Sequence, residues 1–193
     1  MRDKNGTMHT RFIPPHGGYK DLISYQRAEI VYYATVYFCD HFIDRRSRTH
    51  DQMIQAARSG KQNIIEGSMA AATSKETEIK LTNVARASLE ELLADYRDFL
   101  HVRGLQEWPR EHVYVSRVRE LLRTPKPCYE TFRKGIEHSD PAISANVIIG
   151  LIRVANALLD RQIRSLERAF VQEGGLRERM TRARLEERKK NPR

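Results

Sequence analysis

Gln52-Met-Ile-Gln-Ala-Ala-Arg-Ser-Gly-Lys-Gln-Asn-Ile-Ile-Glu-Gly67 decides how the rest of the chain is read. The run contains no proline, and Met53, Ala57, Gly60 and Ile64 recur at spacings of 4, 3 and 4, the period of one helix face. Ala56, Ala57 and Gly60 carry almost no side chain, so a neighbouring helix backbone can approach this face closely. A glycine in mid-helix costs up to ~1 kcal/mol against alanine, and close approach is a reason to keep one. Gly67 falls where a helix end needs the left-handed conformation, so the reading is a helix over 49–66 that stops at Gly67.

Working outward, Gln55-Ala-Ala-Arg-Ser-Gly-Lys-Gln-Asn-Ile-Ile-Glu-Gly67 is followed by Thr73-Ser-Lys-Glu-Thr77 and Leu81-Thr-Asn-Val-Ala-Arg-Ala-Ser-Leu-Glu-Glu-Leu92. Taken together, these motifs resemble a family of small four-helix bundles. That family includes proteins encoded in the intervening sequences of bacterial 23S rRNA genes and the accessory variability protein of diversity-generating retroelements. The four helix bundle suffix domain is the nearest branch. The resemblance spans residues 19–104, and the last helix matches only in pattern. Where the family usually has a small-residue and proline step before the asparagine, this chain has Gly60-Lys61-Gln62. Gly60, Asn63, Glu66, Gly67 and Ser88 are the motif residues in this sequence. The resemblance implies an all-α antiparallel up-down bundle, a homo-oligomer arranged as a pentameric ring, RNA or DNA as a partner, and docking of a nucleic-acid enzyme such as a reverse transcriptase.

Apolar periodicity places the elements. A first helix over 21–44 is apolar round most of its circumference: Leu22, Tyr25, Ala28, Tyr32 and Cys39 on one set of positions, Ile30, Val31, Tyr33, Val36, Tyr37 and Phe38 on another. A bundle core needs only a stripe, so the surplus points to an interface between copies of the chain. Thr49 is the expected N-cap of the second helix, and Thr73 with Glu76 has capping-box spacing before a third helix over 74–103. Residues 105–140 interrupt the pattern with a short helix over 110–123 and a further turn or two over 128–137, an insertion before the last helix. Asp140-Pro141 opens that helix, which runs to 173. The domain reading is a flexible arm over 1–18, a bundle over 19–173 and a basic tail over 174–193.

The chain has 193 residues and a net charge of +9. Residues 174–193 hold eight Lys or Arg and three Glu, so the tail alone carries +5. That balance suits an anionic polymer, and it equally suits a solubilising tail. No run reaches the ~18 apolar residues of a membrane span, and the two cysteines have no metal spacing, so a reduced cytoplasmic setting and no membrane are expected.

The sequence shows no sign of catalysis. A phosphate-binding glycine loop, a nucleophile elbow and the Glu-x-x-His ligands of di-iron bundles are all missing, so no cofactor and no metal site are expected. Asn63 and Glu66 are the most suggestive polar pair. One carboxylate without a companion is a poor catalyst, and hydrogen bonding across the helices, to Arg58, Arg86 or backbone, is the favoured reading. Glu90 and Glu91 are expected to pair along their helix with Arg86 or Arg97. Candidate nucleic-acid contacts are Arg58, Lys61, Lys75, Lys80, Arg86 and Arg97, with Arg177, Arg179, Arg182, Arg184, Arg188, Lys189 and Lys190 in the tail. Repeated round a ring, such a modest patch adds up. The function expected is a non-enzymatic oligomeric accessory protein that binds nucleic acid without sequence preference. The alternative is a protein-interaction scaffold with no nucleic-acid role.

Overall fold

A computed structural model of the chain describes residues 18–190. A 3-10 turn, Gly18–Asp21, leads into seven α-helices: α1 Ile23–Phe42, α2 Arg48–Ala70, α3 Lys75–Val102, α4 Val113–Leu121, α5 Tyr129–Ile136, α6 Pro141–Glu173 and α7 Leu176–Lys190. The described residues contain no strand, as an all-α reading requires. Apart from Gly18, the arm expected over 1–18 lies outside the described residues.

The four long helices share one core. α1 and α3 each pack against both α2 and α6. Phe38, Met53, Leu89, Leu92, Tyr96, Ile148 and Ile152 are fully buried where they meet. The Tyr96 hydroxyl, sealed inside, donates to Thr35 Oγ1 at 3.2 Å, so this buried polar group is satisfied.

The α2–α3 seam is as thin as its small residues predict. A Cβ placed on Gly60 would lie 2.6 Å from Leu89 Cδ2 and 2.7 Å from its Cγ. Gly67 corrects the sequence reading. It does not stop the helix but lies buried inside α2, which continues to Ala70. An added Cβ there would sit 3.4 Å from the Glu78 carbonyl oxygen and from Leu81 Cβ. Its role is close approach, and the helix continues because Ser68, Met69 and Ala70 accept helical geometry readily.

The caps also shift by a residue or two. Ser47, not Thr49, caps α2, its Oγ accepting from the Thr49 amide at 3.3 Å. Ser74 rather than Thr73 caps α3, accepting from the Thr77 amide at 3.1 Å, while Thr73 Oγ1 donates to the Ala70 carbonyl. Asp140 caps α6 as expected, accepting from the Ala142 amide at 2.8 Å, with Pro141 in the first helical turn.

The apolar surplus of α1 is largely used within the chain. Ile30, Val31 and Phe38 are buried, and α5 packs on α1 as well as on α6. Tyr32, Val36 and Tyr37 are half-buried, which leaves Ile23 at 54% and Tyr33 at 50% exposure as its outward apolar groups. Helices α2 and α6, with a smaller share from α5 of the insertion, therefore cover much of what the sequence assigned to other copies. α6 contains a window apolar enough by length and composition to cross a membrane, against the expectation that none exists, and 67% of that window is buried inside the chain. Packing against α1, α3, α4 and α5 accounts for its apolarity.

The two cysteines differ sharply. Cys39 is fully buried, and burial first, then the carboxylates of Asp40 and Asp95, pushes its thiol up to about 12. Cys128 is exposed. Because the thiolate is the reacting species, an aromatic disulfide reagent at neutral pH is expected to titrate one thiol per folded chain and two in denaturant. Prompt titration of both in the folded chain contradicts the packing of α1.

Candidate nucleic-acid interface

The motif residues of α2 and α3 form a structural link. Asn63 Nδ2 donates to the Ser59 carbonyl at 2.9 Å and to Ser59 Oγ at 3.1 Å. Ser59 Oγ in turn meets Ser88 Oγ at 2.9 Å, and Ser88 donates to the Val84 carbonyl. Asn63 thus bonds along its own helix, and Ser88 carries the chain of hydroxyls across to α3. Glu66 is exposed, takes no part in this link, and meets neither Arg58 nor Arg86.

The basic candidates on the long helices separate into two groups. Lys75, Arg86 and Arg97 stand eleven residues apart on α3, three helical turns, and so share one face. That face meets acids on or beside α6. Lys75 Nζ lies 3.3 Å from Glu173, Arg86 Nε 3.5 Å from Asp160, and Arg97 Nε 3.1 Å from Glu107. Arg86 and Arg97 therefore reach across to another segment, not along α3 to Glu90 or Glu91. Glu90 instead accepts from Asn156 Nδ2 at 2.8 Å. Lys61 is also engaged: its ammonium sits 4.1 Å from the centre of the Tyr32 ring, a cation–π contact between α2 and α1. Arg58 and Lys80 are exposed. The tail cations Arg177, Arg179, Arg182, Arg184, Arg188, Lys189 and Lys190 all lie on α7, a helix with no buried residue.

A further concentration of positive charge lies elsewhere. Between α6 and the segment leading into α4 there is an open cleft of about 930 Å³. Its floor is apolar: Val115 and Val118 from α4, Gly150, Val154 and Leu158 from α6, and the Trp108 ring. Its walls are arginines, with Arg110, Arg119 and Arg123 on the insertion side and Arg153 and Arg161 on α6. Glu107 is the sole carboxylate in the lining. It is already shared, taking Arg153 on one oxygen and Arg97 on the other. Arg110, Arg119, Arg123 and Arg161 have no carboxylate partner among the described residues; Arg119 reaches only the Arg110 carbonyl, at 3.5 Å.

The sequence reading names none of these five arginines as a site. They are spread over 110–161 and come together only because α4 packs on α6. The available signal was the insertion itself, where Arg110, Arg117, Arg119 and Arg123 occur within a short stretch. The cleft is anchored by Asn146 of α6, whose Oδ1 accepts from the Trp108 amide at 2.6 Å and whose Nδ2 donates to the Gln106 carbonyl at 3.0 Å. These two bonds hold the cleft's rim in place.

Chemically, the cleft offers guanidinium donors with unfilled hydrogen-bonding capacity over an apolar base. Arginine presents a planar fork that matches phosphate or carboxylate. The cleft contains no nucleophile with an adjacent base. Among the described residues, no three His, Cys, Asp or Glu gather to hold a metal ion. Comparison of the chain with protein-family models, with curated proteins and with solved structures gives no match.

Proposed function

We propose that this chain is a non-catalytic accessory protein that binds RNA or DNA through its backbone phosphates. The carrying observation is the charge imbalance of the cleft, five arginines against one carboxylate that is already shared. Uncompensated guanidinium groups held side by side repel one another, and an anionic polymer relieves that repulsion while releasing its own counterions. The tail helix α7 adds a second cationic element, none of whose residues is buried.

On this reading the scaffold is an antiparallel up-down four-helix bundle of α1, α2, α3 and α6, with α4 and α5 inserted before the last long helix. Two sets of contacts support it. Residues 75 and 86 of α3 meet positions 173 and 160 of α6 in descending order. Gly60 and Gly67 of α2 face Leu89 and Leu81 of α3 in the same reversed sense. Self-association and docking of a nucleic-acid enzyme such as a reverse transcriptase belong to the same proposal. Ile23 and Tyr33 on α1 are its apolar support, a smaller surface than the sequence suggested.

The test is retardation of random-sequence RNA and DNA by the full chain at rising salt, beside a chain ending at Gly174. Binding at low salt is expected for both, with affinity falling linearly against the logarithm of salt concentration. Failure of both forms to retard any polynucleotide at about 20 mM salt overturns the proposal.

A further inference from the structure

Beside the arginine cleft stands a group of aromatic rings that phosphate binding does not use. Trp108, which lines the cleft, stacks on His112 with ring centres 4.6 Å apart and planes 9° from parallel. Tyr114 closes the group, 5.3 Å from Trp108 and 5.5 Å from His112. Tyr114 is 54% exposed and its neighbour Val113 is 69% exposed. Single exposed apolar side chains are ordinary, and what sets this group apart is the contact among its three rings. The group sits at the arginine cleft, which Trp108 lines. Arg110 lies between Trp108 and His112 in sequence, so a cation is interleaved with the rings.

We infer that the cleft is built for single-stranded nucleic acid, with unpaired bases stacking on the Trp108, His112 and Tyr114 group while the arginines follow the phosphates. Duplex hides its base faces inside the helix and meets only the arginines. A single strand presents base faces and phosphates at once, which the cleft matches with rings and guanidinium groups side by side. The rings and the interleaved Arg110 all belong to the segment at the start of the insertion.

This inference rests on the nucleic-acid reading, and its test separates the two. Trp108 is the only tryptophan in the chain, so its fluorescence reports directly on the ring group. Titrating the full chain with a single-stranded 20-mer of uridine or adenosine is expected to quench that fluorescence at the concentrations that retard the strand in a gel. A duplex of the same length is expected to bind at least tenfold more weakly and to quench little. Tyr114→Ala removes an exposed ring with no core role; it is expected to weaken single-strand binding by about tenfold, leave duplex binding and the salt slope unchanged, and be restored by Tyr114→Phe. Equal affinity for duplex and single strand, or full affinity in Tyr114→Ala, overturns the stacking role while leaving phosphate binding in place. Poly-glutamate that quenches as strongly and displaces the strand overturns it in favour of an acidic protein partner. Absence of any polynucleotide binding overturns both readings together.

Discussion

Gly60→Val is expected to lower the stability of the chain by about 2–4 kcal/mol, a drop of roughly 5–15 °C in Tm for a domain of this size. A first added carbon already falls 2.6 Å from Leu89 Cδ2 and 2.7 Å from Cγ, well inside contact distance. Leu89 is fully buried, and its Cγ is not the free end of a flexible side chain, so α2 and α3 must separate or Leu89 must leave its rotamer. Valine adds two further methyl groups and loses rotamer freedom in a helix. Gly60→Ala is the milder case. Overpacking of about 1–3 kcal/mol is offset by up to ~1 kcal/mol of helix propensity, leaving a net loss near 1–2 kcal/mol. Leu89→Ala alone removes a buried leucine and costs about 2–5 kcal/mol. The double variant Gly60→Ala, Leu89→Ala is then expected to be more stable than the summed single losses, since each change makes room for the other. Thermal and urea unfolding of the four variants measures all of this. An unchanged Tm for Gly60→Val means that the seam is looser than the structure has it.

That seam was legible because a run of small residues at helical spacing has few other physical causes. The position of Gly67 was legible too, but its purpose was not. A glycine that ends a helix and a glycine that admits a neighbouring backbone are the same letter, and only the distance to Glu78 and Leu81 tells them apart. The caps moved for a related reason: Ser47 and Thr49, or Thr73 and Ser74, are chemically equivalent candidates, and the choice depends on where the loop enters. On α3 more could have been read. Lys75, Arg86 and Arg97 recur at eleven residues, which places them on one face; the acid partners of the first two lie on α6 and that of the third, Glu107, in the segment before α4. Treated as a list of exposed cations, they suggested phosphate contacts. Treated as a face, they suggest a helix–helix seam whose charge is already matched. The cleft lies at the other extreme. Its arginines come from two segments separated by α5, and the cluster over 110–123 gives no hint that Arg153 and Arg161 of α6 join it.

The second large effect follows from that matched and unmatched division of charge. Arg119→Glu combined with Arg161→Glu is expected to weaken single-strand binding at 50 mM salt by on the order of 100-fold, and to flatten the salt dependence by about one and a half units of slope. The two residues line the cleft from α4 and from α6, and neither has a carboxylate partner among the described residues. Reversing them therefore breaks no ion pair, and Tm is expected to change little, since surface substitutions away from specific contacts fall within about 0.5 kcal/mol. The matched cations give the contrast. Arg86→Glu places a carboxylate against Asp160 and disturbs the α3–α6 seam, so it is expected to lower Tm more than it lowers binding. Arg177→Glu combined with Arg182→Glu tests the tail, where no residue is buried to fix a geometry. A helix with no buried residue contributes attraction more than alignment, so this pair is expected to weaken binding by less than tenfold. If the tail pair abolishes binding and the cleft pair leaves it intact, α7 alone is the polynucleotide-binding element, and the arginine cleft serves some other anion.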